Sequence, residues 1–165
     1  MKTIVFIICL FGLTVLSNAQ TIALQETVTE LNNTYLNAVN ADNAAECVKI
    51  LEEKVVNYNR ELSPLYNEVY DTYKVSFYIP EGKIIAEYDT DGKIIRTIEK
   101  YNDVRLPLIV MQAIAKRFPN WGIISDAYHI NYHCEKDTVK QEYKIKIKNE
   151  NEIITVKTNE TGMFL

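Results

Sequence analysis

The sequence predicts an α+β protein made of tandem units, in each of which a helix precedes an antiparallel meander of strands. Apolar residues recur at helical spacing in two separate stretches, and after each stretch they alternate with polar residues as in half-buried strands. Segments of the two halves also match each other at a fixed spacing. A helix laid on one face of an antiparallel sheet buries the apolar side of both elements, so these observations together favour the α+β class.

The internal match concerns three short segments. Tyr73-Lys74-Val75 matches Tyr143-Lys144-Ile145, which lies 70 residues later. Ile84-Ile85 is answered by Ile153-Ile154, and the Asp-Gly pair at 91–92 by the Thr-Gly pair at 161–162. A repeat of this length that occurs twice indicates a duplicated supersecondary unit, because a solenoid requires more copies.

The composition is that of an ordinary globular chain. The 165 residues are 47% hydrophobic and 24% charged, with a formal net charge of −4. An acidic chain lacks the positive charge with which proteins bind a phosphate backbone, so we expect no nucleic-acid partner.

Residues 1–19 are predicted to be a signal peptide. Lys2 precedes an apolar run, Ile4–Leu16, and the small residues Ser17 and Ala19 place a cleavage site before Gln20. As a helix the run covers ~20 Å, less than the ~30 Å hydrocarbon core of a bilayer. We therefore expect an exported protein, periplasmic or extracellular, without membrane insertion after cleavage. An uncleaved anchor is the alternative.

The first unit is expected over residues 42–101. Residues 20–41 precede it as an extended or loosely ordered lead-in, because Thr and Asn recur there and weaken a helix. The unit's helix is predicted to begin at an Asn43 cap and to end before Ser63-Pro64, with Glu52 and Glu53 on its solvated side. The strands that follow are predicted, between turn residues, at Tyr73–Ile79, Lys83–Tyr88 and Lys93–Tyr101.

The second unit is expected over residues 102–165. Its helix is predicted from Leu106 to Phe118, with Pro107 in the first turn, where a missing N–H costs no hydrogen bond. The predicted strands are Ile123–Cys134, Val139–Lys148, Glu152–Thr158 and Gly162–Leu165. Val139–Lys148 alternates most regularly, with apolar residues on one side and mostly lysines on the other.

The stretch from Tyr73 to Leu165 resembles the PepSY-like proteins exported by Bacteroidetes-type bacteria. The resemblance is carried by YDTDGKII at 88–95, by IEKYNDVRLPLIVMQAIAKRFPNW at 98–121, and by the Tyr-rich and YKIKI strands after them. That family is similar to the β-lactamase-inhibitor-like arrangement, a helix packed on an antiparallel sheet and often in tandem. The resemblance implies a non-enzymatic module that binds or inhibits other proteins, and it transfers no catalytic residue and no cofactor.

Two other functions stay open. Some similar sequences carry the label of a nicotinate-nucleotide adenylyltransferase, which would make the protein an enzyme. Such enzymes resemble doubly wound proteins with an H-x-G-H pair, whereas His129 and His133 are here the only histidines, with no glycine between them, and no phosphate-binding loop is present. A structural or oligomerising component of the envelope is the third possibility.

No metal site is expected. On a strand His129 and His133 lie ~13 Å apart, too far to share one ion at ~2 Å. Cys47 and Cys134 could form a disulfide in an oxidising compartment, or they could be two separate buried thiols, and the sequence leaves both readings open.

Aromatic and basic side chains are the expected contacts for a protein or peptide partner, through a sheet face or a strand edge. The candidate residues are Tyr78, Tyr88, Tyr101, Lys144 and Lys146. The alternative reading makes the tyrosines cross-strand pairs that stabilise a sheet, and the lysines a solvated outer face.

Overall fold

The computed structural model describes residues 31–39, 44–59, 71–136 and 138–165. Within these ranges the elements, in chain order, are helix α1 (31–39), helix α2 (Glu46–Val56), strands β1 (Thr72–Ile79), β2 (Gly82–Asp89) and β3 (Ile94–Asn102), helix α3 (Leu108–Arg117), strand β4 (Gly122–His133), a 3-10 turn (Cys134–Lys136), and strands β5 (Thr138–Asn149) and β6 (Glu152–Thr158). Three predicted features lie outside the described residues: the signal peptide at 1–19, the Asn43 cap and the Ser63-Pro64 helix end.

The six strands form one antiparallel sheet in the order β1-β2-β3-β4-β5-β6, so every strand pairs with its neighbour in the chain. This confirms the α+β class. A helix precedes each group of three strands, but the two groups share a single sheet. The bounds of all six strands lie within one residue of those that the alternation of apolar residues predicts.

The two faces of the sheet differ in burial. On the inner face side chains such as Ile84, Tyr128 and Ile145 are buried together with residues of all three helices in one hydrophobic core. The outer face is defined by the strand residues between them, which are exposed or half-buried. This arrangement follows from the period of two in a strand, which sends successive side chains to opposite faces.

Helix α1 corrects the prediction of an extended lead-in for the part at 31–39. Its buried residues Asn32, Tyr35 and Val39 recur at helical spacing and face the sheet. Gln141 on β5 donates a hydrogen bond of 2.9 Å to the backbone oxygen of Val39. Packing against the sheet therefore outweighs the low helix propensity of the Thr and Asn residues in this segment.

Several element ends also differ from the predictions. Helix α2 begins at Glu46 with Ala45 at its N-cap, and α3 begins at Leu108 with Pro107 at its N-cap rather than inside its first turn. The predicted final strand, Gly162–Leu165, is a single bridge from Phe164 to Thr158.

Two turns 70 residues apart have the same geometry. Asp89 Oδ1 accepts hydrogen bonds from the backbone N–H groups two and four residues later, at 3.0 and 2.9 Å. Asn159 Oδ1 accepts from the corresponding N–H groups at 3.1 and 2.9 Å. Gly92 and Gly162 occupy the same position in these turns with φ of 83° and 80°, a conformation that glycine adopts without strain.

Candidate functional site

The outer face of the sheet carries a high density of positive charge. Residues directly opposite each other on antiparallel strands share a face, so the pairing registers assign each side chain. Nine of the eighteen Lys and Arg residues of the chain are on the outer face: Lys74, Lys83, Arg96, Lys100, Lys140, Lys144, Lys146, Lys148 and Lys157. The acids in outer-face strand positions are Glu87, Asp89 and Glu142.

A cluster of lysines surrounds Glu142 in the β4–β6 half of this face. The Glu142 carboxylate lies 3.9 Å from the ammonium of Lys140, 3.8 Å from that of Lys144 and 3.5 Å from that of Lys157. One carboxylate cannot neutralise three ammonium groups, so the cluster stays positive. Partial burial, followed by the charges of Lys144 and of Lys100, lowers the pKa of the neighbouring His129.

Apolar side chains lie in the middle of the β1–β3 half. Ile85 and Ile98 are opposite each other on β2 and β3, and Ile98 is 40% exposed. Tyr78 on the neighbouring strand is 68% exposed. The isoleucine pair lies between two rows of charged side chains, Lys83–Lys100 and Glu87–Arg96. An apolar centre with a charged surround is the composition of a protein interface.

The predicted contact residues divide between the two faces. Tyr78, Lys144 and Lys146 lie on the outer face. Tyr88 and Tyr101 lie on the inner face with no exposed surface, since both are an even number of residues from the buried Ile84 and Glu99 of their own strands. These two tyrosines therefore belong to the core and cannot contact a partner there. The Tyr88 hydroxyl donates a hydrogen bond of 2.8 Å to the backbone oxygen of Val55 in α2.

A buried carboxylate that the sequence analysis missed lies under α1. Glu99 on β3 is 1% exposed and accepts hydrogen bonds from three hydroxyls: Tyr35 and Thr97 at 2.8 Å each, and Tyr101 at 3.0 Å. Burial raises the pKa of Glu99 to about 7, although the three hydroxyls act in the opposite direction. The sequence signal for this residue is a glutamate that falls in the inward positions of a strand.

Glu52 on α2 is also buried, with 1% of its surface exposed, whereas its neighbour Glu53 is exposed as predicted. The expected solvated position of Glu52 is wrong because the helix turns that residue toward the sheet. Burial, then the charge of Glu99, raises the pKa of Glu52 to about 8, while Lys49 opposes this shift. Because solvent reaches neither carboxylate, the pair is not placed for acid–base work on a substrate.

Cys47 and Cys134 are free thiols, both half-buried, so the structure does not contain the disulfide between them that the sequence left open. Burial raises the pKa of Cys47, which keeps it a thiol and disfavours nucleophilic chemistry. Among the described residues no group of three or more His, Cys, Asp or Glu side chains could hold a metal ion.

A cleft of about 660 Å³ lies between the start of α2 and the connection from β3 to α3. Cys47 and Arg105 line it together with mostly apolar residues, among them Leu106 and Met111. No histidine is among the described residues that line it, so Cys47 has no imidazole base there.

Fold and surface together define an α+β protein with one helix-covered sheet face and one open, basic face. No protein-family model matches the chain, and no curated protein matches it either. It is similar to a solved DUF2874 family protein from Bacteroides ovatus, at 16% identity and a TM-score of 0.35 over 64% of this chain and 78% of that one. It is also similar to a solved BLIP-like protein from Bacteroides fragilis, at 15% identity and a TM-score of 0.33 over 58% of this chain and 66% of that one.

At TM-scores this low, neither likeness carries a conclusion about function. Within the described residues, no helix has the length and apolar character needed to cross a bilayer.

Proposed function

We propose that the protein is an exported, non-enzymatic binding module whose outer sheet face docks onto a protein or peptide. The observation that supports this most directly is that no described strand residue of the outer face is buried, whereas the inner face is covered by helices. Tyr78, Lys144 and Lys146 are the contacts on that face.

The size of the outer face suits such a role. Six strands with ~4.8 Å between neighbours span ~24 Å, and strands of 7 to 12 residues are ~23 to 40 Å long. The face therefore offers roughly 550 to 950 Å², which brackets the ~800 Å² that each partner contributes to a protein interface of standard size.

The described chemistry favours binding over catalysis. Three carboxylates have a strongly raised pKa, and two of them, Glu52 and Glu99, are sealed in the core. The third, the half-buried Asp126, accepts a hydrogen bond from the backbone N–H of Val104, and the thiol in the cleft has no histidine beside it. The enzyme alternative is tested directly by incubating the purified chain with nicotinate mononucleotide and ATP. Saturable release of pyrophosphate would favour the adenylyltransferase instead.

Site-specific photo-crosslinking in the native envelope tests the binding module. A photoreactive residue replaces Tyr78 or Lys146 on the outer face, and matched controls carry it at Glu53 or Lys54, which are exposed on α2. We expect both outer-face positions to give the same protein product, suppressed by excess unlabelled chain, and the α2 positions to give none. Equal products from both sides, or none from the outer face, would contradict the proposal.

Two finer points belong to the same proposal. Export predicts that the mature protein begins at Gln20, which N-terminal sequencing of the released protein measures. A duplicated unit is supported by the two matching turns at Gly92 and Gly162 and by a helix before each group of three strands.

Concentration-dependent assembly without another protein, measured by sedimentation, would favour the oligomerising alternative.

A further inference from the structure

We infer that the partner of the outer sheet face is a protein that presents a carboxylate-rich surface, an inference that rests on the proposed binding function. The outer face would meet this surface through its lysines and its central apolar side chains. Three observations carry the inference: the positive charge of this face on an acidic chain, the cluster of lysines around Glu142, and the apolar pair Ile85 and Ile98.

The outer face carries a charge opposite in sign to the formal net charge of the chain. The outer-face strand positions hold nine basic and three acidic residues, a formal charge of +6. Because the whole chain has a net charge of −4, all other residues together carry −10. A positive face on an acidic molecule selects for a negative patch on the partner and orients the encounter, since opposite patches attract and like patches repel.

The pairing of the strands sets the positions of the lysines on the outer face. Lys100, His129 and Glu142 occupy one row across β3, β4 and β5, where the backbone spacing is ~4.8 Å. Glu142 draws the ammonium groups of Lys144 and Lys157 to within 4 Å of its carboxylate. A partner with dispersed carboxylates can therefore pair with lysines at intervals that the strand positions set.

The apolar centre favours a protein over other anionic partners. Ile85 and Ile98 project from the outer face between two rows of longer charged side chains. They can pack against another protein there, but they do not project beyond the charged rows as insertion into a bilayer requires. Two features disfavour a nucleic acid. The chain has a net charge of −4, and Tyr78 is the one strongly exposed aromatic residue, among those described on this face, on which a base could stack. The same face of a second copy is disfavoured because two +6 surfaces repel each other.

The inference is tested on the full mature chain with defined probes and amide NMR shifts. The first probe is a peptide of about 12 residues, long enough to cross the six strands, with alternating Glu or Asp and apolar residues. A matched peptide has Gln and Asn in place of the acids. Vesicles containing phosphatidylglycerol and a short DNA duplex are the competing anionic probes.

Three variants accompany the probes. The triple substitution K100E/K144E/K157E reverses charge on the outer face, and K54E/R105E/K116E makes the same change in net charge at exposed positions outside the sheet. A third variant, K100Q/K144Q/K157Q, removes the charge without placing new acids around Glu142, and it replaces the reversal variant if that one fails to fold.

We expect the acidic peptide to shift outer-face amides saturably. We expect binding to weaken about ten-fold with the outer-face variants, by less than about two-fold with the control triple, and further as salt rises. Tighter binding of vesicles or DNA at this face would overturn the partner class.

If the uncharged peptide bound equally well at this face, the proposed binding function would stand, but the inference of a carboxylate-rich partner would be wrong. Absence of binding by the acidic peptide would count against the acidic partner as well. Shifts confined to the helical side would contradict both this inference and the proposed function.

Discussion

Replacing Glu52 with glutamine is expected to remove much of the pH dependence of folding stability between about pH 5 and pH 9. Glu52 is 1% exposed, and its Oε1 accepts no hydrogen bond from the described residues. The charged groups that face it are Lys49 on the same helix and Glu99 on β3 beneath it. The folded protein therefore favours the neutral acid, and glutamine is a close neutral isostere of that form.

The magnitude follows from the pKa of Glu52. Its folded value of about 8, against an ordinary 4.5, corresponds to at most roughly 5 kcal/mol of unfolding free energy. Between these two values the folded state binds more protons than the unfolded state, so the free energy of unfolding falls as pH rises. The contribution of Glu52 is fully present below about pH 4.5 and is lost as pH rises through about 8. Glu99, with a pKa of about 7, adds a smaller change of the same sign.

Urea denaturation followed by tryptophan fluorescence at several pH values measures the effect. We expect wild type to lose several kcal/mol from pH 5 to pH 9, and Glu52→Gln to lose roughly 3 to 5 kcal/mol less. Glu53→Gln is the matched control on the exposed side of the same helix and should leave the wild-type profile unchanged. A wild-type profile that is flat or rises with pH would refute the reasoning, as would equal flattening by the control.

Three further substitutions test packing and hydrogen bonding through urea denaturation at neutral pH. Gly82→Ala should destabilise the fold by roughly 2 to 3 kcal/mol because the added Cβ would clash with the backbone of β3. Gly122→Ala is the matched control: its added Cβ would make only ordinary contacts, so stability should change by less than about 1 kcal/mol. Asn32→Ala removes two buried hydrogen bonds, of 3.1 and 2.8 Å, to the backbone around the β2–β3 turn. We expect it to lower the free energy of unfolding by roughly 2 to 3 kcal/mol, and the control Asn33→Ala, at an exposed position, to lower it by less than about 0.5 kcal/mol. Tyr35→Phe removes one of three hydroxyl donors to the buried carboxylate of β3, so the pKa of that carboxyl should rise further in an NMR titration and stability should fall by roughly 1 to 2 kcal/mol. An effect of Gly122→Ala or Asn33→Ala as large as that of its partner, or a lower carboxyl pKa in Tyr35→Phe, would contradict the corresponding argument.

The strands could be predicted from the sequence because their signal is local. Alternation such as that of Tyr73, Val75, Phe77 and Ile79 is imposed by a sheet with one buried face, and it needs no knowledge of distant residues. The Asp-Gly turn at 91–92 is equally local, since Gly92 alone supplies the positive φ. The same alternation placed Lys144 and Lys146 on the solvated side of β5.

Tertiary contacts decide the features that the sequence could not give. The helix at 31–39 depends on contacts of Asn32 and Tyr35 with partners 60 and 64 residues away. Tyr88 shares its side of β2 with Ile84, so the alternation of that strand already indicates its burial. Tyr101 shares its side of β3 with the polar residues Thr97 and Glu99, so its burial follows only from the helices that pack on that side of the sheet. Glu52 reads as a surface residue because charged residues at helix positions are rarely buried, and only its rotation toward Glu99 shows otherwise.

The strictly sequential strand order also has a consequence for how the chain reaches its native state. Four of the five strand pairs close loops of two to four residues, such as the two residues between β1 and β2, whereas β3 and β4 are joined through α3. The conformational search for most pairings is therefore brief. Most strand pairings are therefore local in sequence, which favours their rapid formation. Growth strand by strand lets the sheet assemble from either end, and the terminal strands, each bonded to one neighbouring strand, should be the first to fray.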